Sequence, residues 1–446
     1  MDLTLEHSLT RRRGLDAGEL AFAFFVALSF LAKIITLVLR SYFLLSLGLL
    51  LCAAIPVFFL PWKRERRVTS AALWSLAFLF VLWAHRDPRP FLSDYLSIFV
   101  FLAGLILLFY SGDRADRFDA TSRTALYFSL FYALSVWVQI LLPPLYRIFL
   151  NRLPEAYRAS ISSMGQQNMS FTGFSSNAGF TAGHILIGIL LLLAGLGARG
   201  RRGRGVSFLL LAFLALSLLM TGRRAHILFL LLALAAMYLL PHRGRTFYSR
   251  LGKAVFLSLT ALLLVIWLMG FLVSLPFFSR ISLSISGFLS GDDVTSGRSG
   301  LFRLAWQTFL EHPLFGIGWG NFRHTTIGMV TLRTELDVHN IYLQLLCETG
   351  ITGFMALVTP MAVFFVKTLK KIRSLALPGP DQVWLSPLRF SLGYQAFFLL
   401  YGMTGNPLYE PVFFIPYFFA LALTAAFGRS RLAAFEKLSS EKAGLS

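Results

Sequence analysis

Apolar residues arrive along this chain in runs of roughly 16 to 22, the length a helix needs to cross a bilayer, and the runs recur from end to end. They are read as twelve spans: 17–36, 41–61, 69–84, 96–110, 124–142, 181–197, 206–220, 226–241, 254–275, 350–366, 388–403 and 412–428. Strands of a membrane barrel would alternate apolar and polar positions, and these runs do not. Inside lipid the backbone must satisfy its own hydrogen bonds, so each run is expected to be a helix. The pattern predicts an all-α polytopic membrane protein with about twelve transmembrane helices.

Two interruptions are longer than simple connections, 143–183 and 276–340, and long ordered loops tend to carry function. Both contain helical periodicity. Phe302, Ala305, Trp306, Phe309 and Leu310 share a face, with Arg303, Gln307 and Glu311 opposite. Over 145–164, Tyr146, Phe149, Leu150 and Leu153 share a face rimmed by Arg147 and Arg152, which reads as one helix lying on the membrane surface. The chain is therefore divided into nine helices over 1–275, a loop over 276–349 that contains short helices, and three helices with a tail over 350–446.

Charge orients this scheme. Of the 446 residues 56% are hydrophobic and 14% charged, with a net charge of +20; a soluble domain is about a quarter charged. Basic clusters fall between alternate spans, at Arg11 to Arg13, Lys63 to Arg67, Arg114 to Arg123, Arg199 to Arg204, Arg243 to Lys253, Lys367 to Arg373 and Arg429 to Lys442. The positive-inside rule makes that side cytoplasmic, with both termini inside, and the first helix is expected to be uncleaved. The two long loops then face outward. Basic charge spread over cytoplasmic turns does not make a nucleic-acid face, so no such partner is expected. Cys52 and Cys347 form no CxxC, the eight histidines include no HExxH or HxxxH, and no GxSxG occurs. Neither a metal site nor a serine-hydrolase elbow is therefore expected.

Four polar clusters reach the outward side. Arg223 and Arg224 lie in the tight turn Thr221-Gly222-Arg223-Arg224, against the charge rule, and paired guanidiniums suit a diphosphate. Arg298 and Arg303 flank the start of the loop helix. The segment His312-Pro313-Leu314-Phe315-Gly316-Ile317-Gly318-Trp319-Gly320-Asn321-Phe322 marks turns or close backbone approach. Residues 337–350 carry His339, a general base by type; Asn340, which either caps the next helix or bonds a sugar; and Glu348. Asn177 and the stretch Gln166-Gln167-Asn168 leave the same pair of readings open, capping or sugar binding.

Taken in order, the Gly-Arg-Arg turn, Arg298 with Trp306 eight residues on, "HPLFGIGWGNF" and "HNIYLQLLCETGITGF" resemble the O-antigen ligase/polymerase superfamily of bacterial membrane glycosyltransferases. The resemblance covers most of the chain and implies a GT-C-like helical fold in the inner (cytoplasmic) membrane. It implies transfer of a glycan from undecaprenyl diphosphate on the periplasmic face, with no cofactor or metal. The acceptor would be lipid A–core for a ligase, the leaning here, or a growing glycan for a polymerase; membrane lipids are the remaining partner. Carried over residue by residue, Arg224, Arg298 and His339 are the implied catalytic residues. Arg223, Arg303, Asn340 and Glu348 are the candidate substrate-binding residues, and the extra arginine leaves open which of Arg223 and Arg224 faces the ligand. A lipid-linked glycan transporter is the competing class. Such proteins place polar or broken helices at the midplane, whereas Lys33, Arg40 and Arg389 are the only basic residues read within or near spans.

Overall fold

A computed structural model of the protein describes residues 17–59, 68–84, 92–110, 119–168, 170–195, 201–241, 298–325, 337–375 and 385–426, with residues 249 and 252. Every regular element among them is helical. We number them α1 (Ala17–Lys33, prolonged by a π-turn, Ile34–Val38), α2 (Tyr42–Phe59), α3 (Val68–Ala84), α4 (Leu92–Tyr110), α5 (Asp119–Leu141), α6 (Pro143–Leu150), α7 (Glu155–Asn168) and α8 (Ala178–Gly195). Then come α9 (Arg201–Met220), α10 (Arg224–Leu239), α11 (Ser299–Glu311), α12 (Phe322–Thr325), α13 (Ile341–Leu375), α14 (Ser386–Tyr401) and α15 (Pro411–Ala426).

Among the described residues, five helices are long and apolar enough to cross a membrane: Glu19–Val38, Ala120–Leu141, Ala178–Gly195, Gly203–Met220 and Ile341–Ser374. Shorter apolar helices stand beside them, so the protein is a multi-pass membrane protein in its architecture. The predicted spans coincide with helices to within a few residues, except 350–366, whose helix runs from Ile341 to Leu375. The span expected at 254–275 lies outside the described residues, as does residues 276–297 of the long loop.

The centre of the bundle is made by α8, α14 and α15. Helix α15 is apolar on every side and buried along nearly its whole length, packed on α1, α4 and α14. Helices nearer the edge turn Phe43, Leu209 and Leu231 outward, a surface suited to hydrocarbon. Lipid tails are as apolar as leucine, so small and polar side chains become the glue between helices. Thr424 of α15 bonds Thr368 of α13 at 2.6 Å and Ser391 of α14 at 2.8 Å. Gln395 donates to Thr368 and Ser391 at 2.8 and 2.9 Å, completing a knot across three helices.

Two elements differ from the sequence reading. The surface helix expected over 145–164 is two helices, α6 and α7, because Pro154 removes a backbone donor at the join. Tyr146, Leu153 and Ile161 are buried against Phe149 and Phe174, so its aromatic face meets protein. The run Ile341–Leu375 is two helices broken at Gly350, which has φ 64°. The carbonyls freed by the break are taken up by the segment 313–318. Ile317 and Gly318 amides donate to the carbonyls of Cys347 and Glu348 at 3.0 and 2.7 Å, and Ile351 donates to Pro313 at 2.8 Å. A Cβ on Gly350 would lie 2.3 Å from the Leu314 carbonyl carbon, and one on Gly316 2.3 Å from that of Glu348. The two glycine-bearing motifs are thus one interlocked structure.

Candidate active site

Helix α13 begins where the chain reverses at His339, whose φ of 57° is left-handed. That geometry costs a non-glycine residue about 1–3 kcal/mol and persists only where neighbours hold it. Asn340 holds it from one side, its Oδ1 accepting the amides of Tyr342 and Leu343 at 3.0 and 3.2 Å as the helix cap. The Ile341 amide holds it from another, donating to the Gly402 carbonyl at 2.8 Å.

Behind the imidazole lies a chain of polar groups. Arg323 grips Asp337 with two guanidinium nitrogens, at 2.7 and 3.2 Å. Gln344 links Asp337, at 3.4 Å, to Glu348, at 3.2 Å, and its Oε1 accepts the Val338 amide at 3.3 Å. Glu348 is fully buried. Besides Gln344 it accepts the amides of Gly320 (2.9 Å) and Phe322 (3.3 Å) and the hydroxyl of Tyr409. Its oxygens are spent on the protein, where they tie the Trp319 turn to the loop between α14 and α15. Trp319 stacks on Tyr409 at 4.4 Å.

Burial disfavours ionised Asp337, but the charge and hydrogen bonds of Arg323, with help from His339 and Gln344, outweigh it and hold the carboxyl below its usual range. For His339, burial first and the charge of Arg298 second push the imidazole below its ordinary value; Asp337 pulls the other way. The ring is therefore neutral at neutral pH, the form that accepts a proton.

Arg298 stands just before α11, and its Nη1 donates to the Thr404 carbonyl at 3.1 Å. Helix α11 is seated through Ala305 on Phe322, Val338 and Cys347. Arg303, on its other face, is exposed. Across the site, the Met220–Arg223 turn is pinned by Ser170, whose hydroxyl donates to the Thr221 carbonyl at 2.6 Å. Arg223 is half-buried and donates from Nη2 to Asn177 Oδ1 at 2.8 Å; Arg224, opening α10, is exposed. Asn177 also accepts the Gly179 amide at 2.8 Å, so one side chain caps α8 and aims a guanidinium.

The structure places Arg298 and the His339 turn against the loop 402–410, through the Thr404 and Gly402 carbonyls, and the start of α10 beside them, with the His226 ring 4.6 Å from that of Tyr401 at the end of α14. Lys33 pairs with Glu410 at 2.8 Å and lies 4.3 Å above the Phe180 ring. Arg224, next to Arg223, and Arg303, on α11, are both exposed. Asn340 and Glu348 shape the site from behind. Sequence reasoning missed Tyr401, Tyr409, Glu410 and Gln344. Gln344 and Glu348 are four residues apart on one helical face, a readable signal; the others lie in or beside a link that sequence shows only as a connection. Among the described residues no three His, Cys, Asp or Glu side chains gather as a metal site would.

An all-helical multi-pass membrane bundle with cationic groups and a neutral imidazole at one end is the class that fold and site define. The O-Antigen ligase family model matches residues 208–358, from α9 into α13, and that stretch holds Arg223, Arg224, Arg298, His339 and Glu348. The match supports membership of the chain in the O-antigen ligase/polymerase superfamily, and with it a membrane enzyme of glycosyltransferase type acting on lipid-linked glycans. No curated protein matches the chain.

Proposed function

We propose that the protein is an O-antigen ligase. It moves a glycan from undecaprenyl diphosphate to lipid A–core on the periplasmic face of the inner membrane, with both termini in the cytoplasm. The observation that carries this reading is that Arg298 bonds the loop after α14 at Thr404 and the His339 turn bonds it through Ile341 at Gly402, while the start of α10, which follows Arg223, packs on the end of α14 with the His226 and Tyr401 rings 4.6 Å apart. An acceptor hydroxyl oxygen attacks the anomeric carbon from the face opposite the diphosphate. The bond from that carbon to the diphosphate oxygen breaks, and its electron pair leaves with the undecaprenyl diphosphate. Guanidiniums are permanent cations with forked donors, suited to the charge that grows on the leaving group. His339 takes the hydroxyl proton, and Asp337 stabilises the imidazolium that results. One displacement inverts the anomeric centre.

The test is transfer by purified protein from a lipid-diphosphate glycan, in buffer containing EDTA, with lipid A–core offered as acceptor. Glycan-capped lipid A–core at a rate indifferent to the chelator is the expected product. A ladder of longer glycans on the carrier instead marks a polymerase, and no transfer to either overturns the enzymatic reading.

A further inference from the structure

The loop between α14 and α15 is anchored along its length. Its Gly402 carbonyl accepts the Ile341 amide at 2.8 Å, and its Thr404 carbonyl accepts Arg298 at 3.1 Å. Tyr409 is bound to Glu348 and stacked on Trp319, and Glu410 is paired with Lys33. Within this frame sits Asn406, 9% exposed. Its backbone is engaged, the carbonyl accepting the Tyr409 amide at 3.1 Å. Its carboxamide is not: neither Oδ1 nor Nδ2 bonds any described protein atom. Asn321 and Gln395 each leave one carboxamide atom in that condition, whereas Asn406 leaves both.

Buried polar groups are overwhelmingly hydrogen-bonded, and an orphan costs about 1–3 kcal/mol. A mobile loop would relax to satisfy it; this loop is tied to α1, α13 and the Arg298 turn and would break those ties in doing so. The chemistry of the orphan is also distinct from its neighbours. Guanidiniums only donate and therefore read anions, whereas a carboxamide both donates and accepts. That is the complement of adjacent hydroxyls on a neutral ring. Asn406 lies two residues from the carbonyl that positions Arg298.

We infer that Asn406 binds hydroxyls of the sugar ring directly attached to the diphosphate, supplying sugar recognition beside the cationic diphosphate site. The inference rests on the lipid-diphosphate donor proposed above. The guanidiniums hold the part of the donor that is the same in every glycan. Asn406 reads the part that differs.

The experiment measures binding of two sets of probes to the full-length protein in nanodiscs: bare undecaprenyl diphosphate, and undecaprenyl diphosphate carrying one hexose or one N-acetylhexosamine. Wild-type protein binds one of the sugar-bearing carriers more tightly than the bare one. Asn406→Ala loses roughly tenfold on that carrier, in line with two neutral hydrogen bonds lost, and is unchanged on the bare carrier. Arg298→Ala weakens both. Asn406→Leu, close in volume and with no polar group to satisfy, unfolds at the wild-type temperature or higher while losing the same sugar preference. The inference is overturned by a preference that survives Asn406→Ala, by equal losses on bare and sugar-bearing carriers, or by a lowered unfolding temperature in Asn406→Leu. It also falls alone if wild-type protein binds the bare carrier without distinguishing sugars. Failure of wild-type protein to bind even the bare carrier overturns the donor assignment first and this inference with it.

Discussion

His339 is held in a left-handed backbone conformation and presents a neutral, partly buried imidazole to Arg298. Strain at a position of this kind persists where the surroundings over-determine it. His339→Gly therefore separates the two roles. Glycine takes the left-handed backbone without steric strain, which offsets its larger entropy loss on folding, so the variant unfolds close to wild type, by thermal melting in detergent. Its transfer rate falls by about a hundredfold or more, the usual contribution of a general base. A histidine retained only for structure would give a melting loss with activity intact. The pH profile carries the second expectation. The base must be unprotonated, and burial and Arg298 lower its pKa, so the acid limb of kcat/KM lies below the ordinary histidine value of about 6.5. Asp337 is the group that raises it, and Asp337→Asn moves that limb to lower pH and slows transfer as well. A limb that stays in place or rises removes the assignment of His339 as the titrating base. Arg223 and Arg224 divide similarly: Arg223→Ala, losing the guanidinium set by Asn177, raises the donor KM more than Arg224→Ala does.

At the scale of elements the interlock of 313–322 with 347–352 decides whether the site exists. Glu348→Ala leaves the buried Gly320 and Phe322 amides and the Tyr409 hydroxyl without their acceptor. At about 1–3 kcal/mol for each orphaned donor, the variant loses folded yield and melting temperature together with activity. Preserved melting with weakened donor binding would instead make Glu348 a ligand of the substrate. Gly350→Ala acts through the same joint, since its Cβ meets backbone that cannot step aside. This is also where sequence legibility ends. The helices were readable because a span needs a long apolar run, and the ends of α3, α9 and α14 fall close to where hydropathy places them. The helical segment before Gly350 was not, because Gln344 and Glu348 interrupt its apolar positions and residues up to 349 read as loop. His339 and Arg298 were legible as candidates through residue type and resemblance. The hydrogen bond that orients Arg223 was not, because its partner Asn177 lies 46 residues away.

Across the whole molecule, the groups that form the site come from opposite ends of the chain. Lys33 closes α1, Asn177 precedes α8, Arg223 precedes α10, and Arg298, His339 and Glu410 border the last helices. Helices that run through the bundle in alternate directions can gather such distant residues only at one end. Lys370, near the far end of α13, is exposed among the basic residues that the positive-inside rule assigns to the cytoplasm. The proposed orientation thus makes opposite demands on two exposed positions. In cells with a permeable outer envelope, Arg303→Cys is labelled by a membrane-impermeant maleimide without further treatment. Lys370→Cys is labelled only after the inner membrane is opened. The native Cys52 and Cys347 are buried and give a low background in both. Thermal melting of each purified variant reports that the labelled protein is folded. Equal labelling of both positions, or the reverse order, would put the imidazole and its arginines on the side where undecaprenyl-linked chains are assembled rather than delivered, and the ligase reading would fall with the topology.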